Sequence, residues 1–132
     1  MRFEKGLSSY ATADALAMAV ELAEELANAE VASKIFDTKR GAYVAKKYSF
    51  PIAGFASYLG ITLKNAEIKK ILESLGFKIK MTAPPASQAR ALRAGKILTA
   101  TVPWWRDHDI EDGRDLVEEV ARIYGYHRLP ST

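Results

Sequence analysis

The sequence predicts an α+β fold, a small module of three helices and a two-stranded hairpin with an amphipathic helix ahead of it. Three observations carry that expectation. Apolar residues recur at helical spacing before Leu75 and again after Asp112, two short runs around Ile79 and Leu98 alternate with period two, and glycine or proline closes most of these segments. At 132 residues and 48% hydrophobic content the chain can bury one real core and a small second cluster, while two full domains would be a squeeze.

From Thr12 to Ala29 the chain is rich in alanine, leucine and glutamate. Leu16, Val20, Ala23 and Ala27 form a narrow apolar stripe with Glu21, Glu24 and Glu25 between them, so this helix is expected to lie against another surface. Glu30 to Phe50 reads as an extended stretch, turned at Gly41 and ended by Pro51. A short helix is expected over Ile52 to Leu59, closed by Gly60. In the next, Ile68, Ile71, Leu72 and Leu75 form one stripe, Gly76 takes the left-handed position after it, and Phe77 folds back on the last turn.

Phe77, Ile79 and Met81 alternate with Lys78 and Lys80, as in a strand with one wet face. Ala83 to Gly95, with Pro84 and Pro85, reads as a loop. Lys96 to Val102 forms the second strand, with Leu98, Ala100 and Val102 on one face, pairing antiparallel with the first. The last helix is expected to start at Asp112 or Gly113 and end near Tyr124, with Leu116, Val117, Val120, Ile123 and Tyr124 on its apolar side. This order of elements resembles a winged helix of the DNA-binding type.

The absence of cysteine excludes a disulfide framework, a thiolate metal site and a thiol nucleophile, and fits a cytoplasmic location. No apolar run is long enough for a bilayer, so no membrane partner is expected. Met1 followed at once by Arg2-Phe3-Glu4-Lys5-Gly6 reads as a cut within a longer chain. Charge is segregated: residues 34–96 hold thirteen basic and three acidic side chains, while residues 97–132 hold four and seven. That pattern suggests a face for phosphates and a separate acidic end.

The acidic end holds the candidate site. Asp115, Glu118 and Glu119 stand at i, i+3 and i+4, and Asp109 lies six residues before Asp115. Carboxylates that close need a positive neighbour, which Arg106, Arg122, a partner or a hard cation such as magnesium can supply. A purely structural reading also stands: Asp112 caps the helix, Asp115 favours its positive end, and Glu118 pairs with Arg122. Acid–base catalysis ranks last, because no nucleophile or phosphate loop accompanies the carboxylates. His108 and His127 give no zinc pattern. Of Trp104 and Trp105, one is expected to pack inward and the other to lie at the surface.

Val102-Pro103, Trp105-Arg106, Asp109-Ile110, Asp115 to Val120, Ile123 to Tyr126 and Pro130 together resemble the end of the B5 domain of the bacterial phenylalanyl-tRNA synthetase beta subunit. Residues 58–80, YLGITLKNAEIKKILESLGFKIK, resemble the helix and strand core of that domain, and RFEKGL with the following helix resembles the exit from the B3/B4 editing region. The resemblance implies two parts, the end of the B3/B4 region with a connecting helix at 1–41 and the B5 domain at 42–132. It implies an alpha2-beta2 ligase that joins phenylalanine to tRNA(Phe) using ATP and Mg²⁺. Phenylalanine and ATP would be bound by the alpha subunit rather than by this fragment. Asp109, Asp115, Glu118 and Glu119 would be ligands of a magnesium shared with alpha, weakly held or absent in the fragment alone. By this reading the fragment is inactive by itself, has no catalytic residue, packs on alpha and contacts tRNA through lysines. The rival reading is an independent winged-helix-like nucleic-acid-binding module. Replacing Asp115, Glu118 and Glu119 by Asn and Gln is expected to leave folding intact.

Overall fold

The computed structural model describes residues 7–38, 43–84 and 95–130. The chain divides into two compact units, Met1–Val44 and Ala45–Thr132.

In the first unit the alanine-rich stretch forms α1, Thr12–Ala27, ended by Asn28 in the left-handed conformation. None of its residues is buried, and Leu16, Met18, Leu22 and Leu26 are all exposed. The segment after it returns along the helix, so that Leu16 shares one hollow with Ile35 and Phe36.

The second unit holds the core. β1, Lys47–Pro51, is followed by α2, Ile52–Leu59, and α3, Asn65–Ser74; then come β2, Lys78–Thr82, β3, Ile97–Thr101, and α4, Gly113–Tyr124. Among the described residues the chain thus has four helices. The end of α3 is as the sequence predicts: Gly76 has φ +89°, its N–H donates to Glu73, and the Phe77 N–H reaches the Leu72 carbonyl at 3.2 Å. Phe77 is buried by that fold-back. Trp105 lies directly over this turn, where a Cβ on Gly76 would stand 2.7 Å from the indole Cζ2.

The sheet corrects the two-stranded expectation. It has three antiparallel strands in the order β1, β3, β2, with Tyr48 opposite Ala100 on one side of β3 and Ile79 opposite Ala100 on the other. The end of the stretch read only as extended therefore pairs with β3, a partner fifty residues away that no local pattern announces. Its signal was present but short: Tyr48 and Phe50 alternate with Lys47 and Ser49. Tyr48, Phe50, Ile79, Met81, Leu98 and Ala100 face the core, where they meet Phe55, Leu59, Ile68, Leu72, Leu116, Val117 and Val120 from the helices. The loop expected at Ala83 to Gly95 lies mostly outside the described residues.

α4 begins where predicted, but its apolar side is turned. Leu116, Val117, Val120 and Ala121 are buried, Ile123 is exposed, and Glu119 is buried with the apolar set. The sequence put all three carboxylates on the wet side. At 100° per residue Glu119 sits on the boundary of the stripe, and an ion partner draws it inward.

Candidate functional site

The N-terminus of α4 is built from two aspartates. Asp112 precedes the helix and its carboxylate accepts from the Arg114 backbone N–H, while Asp115 reaches back to accept from the N–H groups of Asp112 at 2.9 Å and Glu111 at 2.7 Å. This reciprocal pair satisfies donors that a helix start otherwise leaves open. Arg114 also closes on the Asp112 side chain, and these contacts hold the Asp112 carboxyl below the usual carboxylate range.

One guanidinium organises the remaining acids. Pro103 follows the end of β3 and the chain makes a 3-10 turn, Trp104–Arg106, which aims Arg106 at α4. Its Nε donates to Asp109 Oδ2 at 2.8 Å, and its terminal nitrogens meet Glu119 at 2.9 and 3.2 Å. The guanidinium carbon lies over the Phe77 ring, 5.8 Å from its centroid. Arg122, one turn further along α4, also bonds Glu119. The expected pairing of Arg122 with Glu118 is replaced by this one, and Glu118 is exposed. Lys46 ties the turn to the sheet by donating to the Asp107 carbonyl at 2.6 Å.

The four acidic residues singled out in the sequence are therefore divided. Asp109 and Glu119 share Arg106, Asp115 serves the helix start, and Glu118 faces solvent. Among the described residues, no three His, Asp or Glu side chains are grouped so as to hold a metal ion. Glu119 is also no freely replaceable surface charge. The expectation that neutral replacements at Asp115, Glu118 and Glu119 would leave folding untouched rests on all three being surface charges, whereas Asp115 and Glu119 both have structural partners, so their replacement is expected to cost stability. The sequence offered Arg106 as one of several counter-charges. Its contact with Phe77 was not legible, because it joins positions in different elements.

The geometry sets a pH dependence. Burial pushes the Glu119 carboxyl up, but hydrogen bonds and charge from Arg106 and Arg122 outweigh it and hold the group below its ordinary value. The Arg106 pKa is raised despite burial, by Glu119 and Asp109, so Arg106 stays charged. A carboxylate depressed in the folded state contributes stability that is complete above its unfolded value, about 4.3. That stability is lost as pH falls through the lower folded value. Thermal melts are expected to be level above about pH 5 and to fall below about pH 4, with a shallower fall in Glu119→Gln. An equally steep fall in the variant would assign the acid sensitivity elsewhere.

Residues 48–126, from β1 to just past α4, match the family of the tRNA synthetase B5 domain. The chain belongs to that family. Among its relatives are phenylalanine–tRNA ligase beta subunits. That of Lactococcus lactis is 35% identical over 131 residues, covering 99% of this chain and 15% of the relative. That of Staphylococcus haemolyticus is 34% identical, with 99% and 15% covered, and that of Solibacter usitatus 33%, with 98% and 16%. The chain thus spans about 15% of the length of these relatives. The B5 match takes in the Arg106 cluster and the sheet but begins after α1. No described helix is long and apolar enough to cross a membrane.

Proposed function

We propose that this chain is the B5 module of a phenylalanine–tRNA ligase beta subunit, preceded over residues 1–41 by the end of the B3/B4 region. Its role in the cytoplasmic enzyme is architectural. It packs against the alpha subunit, which holds ATP and phenylalanine, and it supplies no catalytic group to the aminoacylation of tRNA(Phe). The observation that carries this reading is the match to ligase beta subunits along 98–99% of the chain. Two features support it. The helical apolar residues of α1 are left exposed, as in a piece of a larger assembly. The strand, helix, helix, strand, strand, helix order of the second unit, with its first strand beside its third, fits a winged-helix-like type.

Asp109, Asp115, Glu118 and Glu119 do not fit a magnesium ion in the arrangement this chain adopts, because Arg106 and the helix start already take up three of them. A hard cation shared with alpha requires Arg106 to withdraw, so that site is proposed for the assembled protein alone. Titrating purified alpha subunit with the chain, with and without Mg²⁺, tests the reading. Saturable association is expected, with no aminoacylation or deacylation by the chain alone. No association under either condition, or intrinsic ligase activity in a preparation free of host synthetase, would overturn it. If Mg²⁺ leaves association unchanged, the shared metal fails while the architectural role stands.

A further inference from the structure

The sheet has a second face. Pairing places Lys47, Thr101 and Lys78 in one row across the three strands, and Ser49, Thr99 and Lys80 in the next. Their neighbours Tyr48, Phe50, Ile79, Met81, Leu98 and Ala100 point into the core, so alternation turns this set outward. The three lysines and Ser49 are exposed. Neither the strands nor the residues flanking them, 43–51, 77–84 and 95–103, contain an aspartate or glutamate.

This is a different situation from α3, the other lysine-rich element. There Lys69 lies 3.7 Å from Glu73, and Glu67 sits in the first turn, so the helix presents mixed charge. On the sheet face every charge has one sign. With strands about 4.8 Å apart and a rise of about 3.4 Å per residue, Lys47 and Lys78 stand roughly 10 Å apart, and Lys78 and Lys80 about 7 Å. Between them lies a row of hydroxyls. Ser49 Oγ and Thr99 Oγ1 are 2.9 Å apart, so one hydroxyl hydrogen joins the pair and the other is left for a ligand.

We propose that this face binds the sugar–phosphate backbone of RNA, an inference that rests on the tRNA ligase reading and assigns the RNA contact to the sheet rather than to α3. Lysines act as point charges on phosphates, and serine and threonine hydroxyls bond phosphate and ribose oxygens. Among the described residues, the outward rows of the three strands have no Arg, Asn or Gln to read base edges, so the contact they make is sequence-tolerant. A membrane surface is a poorer match, because the outward rows of the three strands carry no aromatic side chain for insertion.

The test uses the whole chain, a labelled tRNA transcript and fluorescence anisotropy across a salt series. The triple variant Lys47→Ala, Lys78→Ala, Lys80→Ala is expected to bind about tenfold or more weakly at low salt. Its log–log salt slope should fall by about 2 to 3, at roughly 0.7 to 0.9 per phosphate contact. The variant Lys64→Ala, Lys69→Ala, Lys70→Ala should change much less, and Lys→Arg at the three sheet positions should keep binding. Equal loss from both sets, undetectable binding by the wild-type chain at low salt, tighter binding to duplex DNA, or stronger partition onto phosphatidylserine vesicles would each overturn the proposal. Alpha-subunit association, measured on the same sheet variant, is expected to be unchanged. RNA failure with alpha binding intact therefore sinks this inference without touching the architectural role.

Discussion

Glu119→Gln is expected to destabilise the second unit by about 2 kcal/mol, a fall in Tm of roughly 10 °C for a domain of this size. Glu119 is only 9% exposed and bridges Arg106 and Arg122. Glutamine keeps the shape and one acceptor but removes the charge, leaving Arg106 half-buried against Phe77 with Asp109 alone. Breaking one side of a fully buried pair costs about 3 to 5 kcal/mol. The figure here is lower because Asp109 remains and the Arg106 side chain keeps 17% of its exposure. Removing the partner as well, in Arg106→Met with Glu119→Gln, should cost clearly less than the sum of the two single changes. Additive losses in denaturant melts would mean that the two side chains are not coupled. A neutral Glu119→Gln would return the carboxylate to the surface role that the sequence suggested.

That reversal marks where sequence reading stopped. Elements with their own punctuation were legible: Gly60 and Gly76 end α2 and α3 with positive φ, Asp112 starts α4, and the alternation around Leu98 gives both the strand and its buried side. Each of these signals lies within a few residues of what it determines. The pairing of β1 with β3, the burial of Glu119 and the stacking of Trp105 on Gly76 all depend on contacts between separate elements. Within the candidate site, residue types and the helix start were readable. The division of the acids between Arg106 and the helix N-terminus was set by the turn after β3, whose direction no periodicity encodes. The one-signed sheet face follows the same rule. Lys78 and Lys80 were legible as a wet side, but Lys47 joins them only through β3.

Phe50→Ala is expected to cost about 3 kcal/mol, because this ring joins β1 to both α2 and the start of the acidic helix. It meets Phe55 edge-on at a centroid distance of 5.5 Å and lies 5.9 Å from Tyr58. Two glycines make room for it. A Cβ on Gly54 would come within 2.6 Å of the ring, and one on Gly113 within 2.8 Å. Gly54 lies inside α2, where alanine would ordinarily be worth about 1 kcal/mol through helix propensity. In the wild-type background Gly54→Ala must displace a ring held by Phe55, Tyr58 and Gly113, so it should destabilise by about 1 to 3 kcal/mol. Once Phe50 is alanine, the three nearest atoms to that Cβ are gone, since all belong to the ring. Gly54→Ala should then become stabilising, and the sign change in a double-mutant cycle measures the fit directly. At Gly113 the rescue should be incomplete, because a Cβ there also meets the Ser49 carbonyl at 3.1 Å, and backbone cannot step aside. If Gly54→Ala has the same sign in both backgrounds, the ring does not decide that position and the large cost predicted for Phe50→Ala loses its basis.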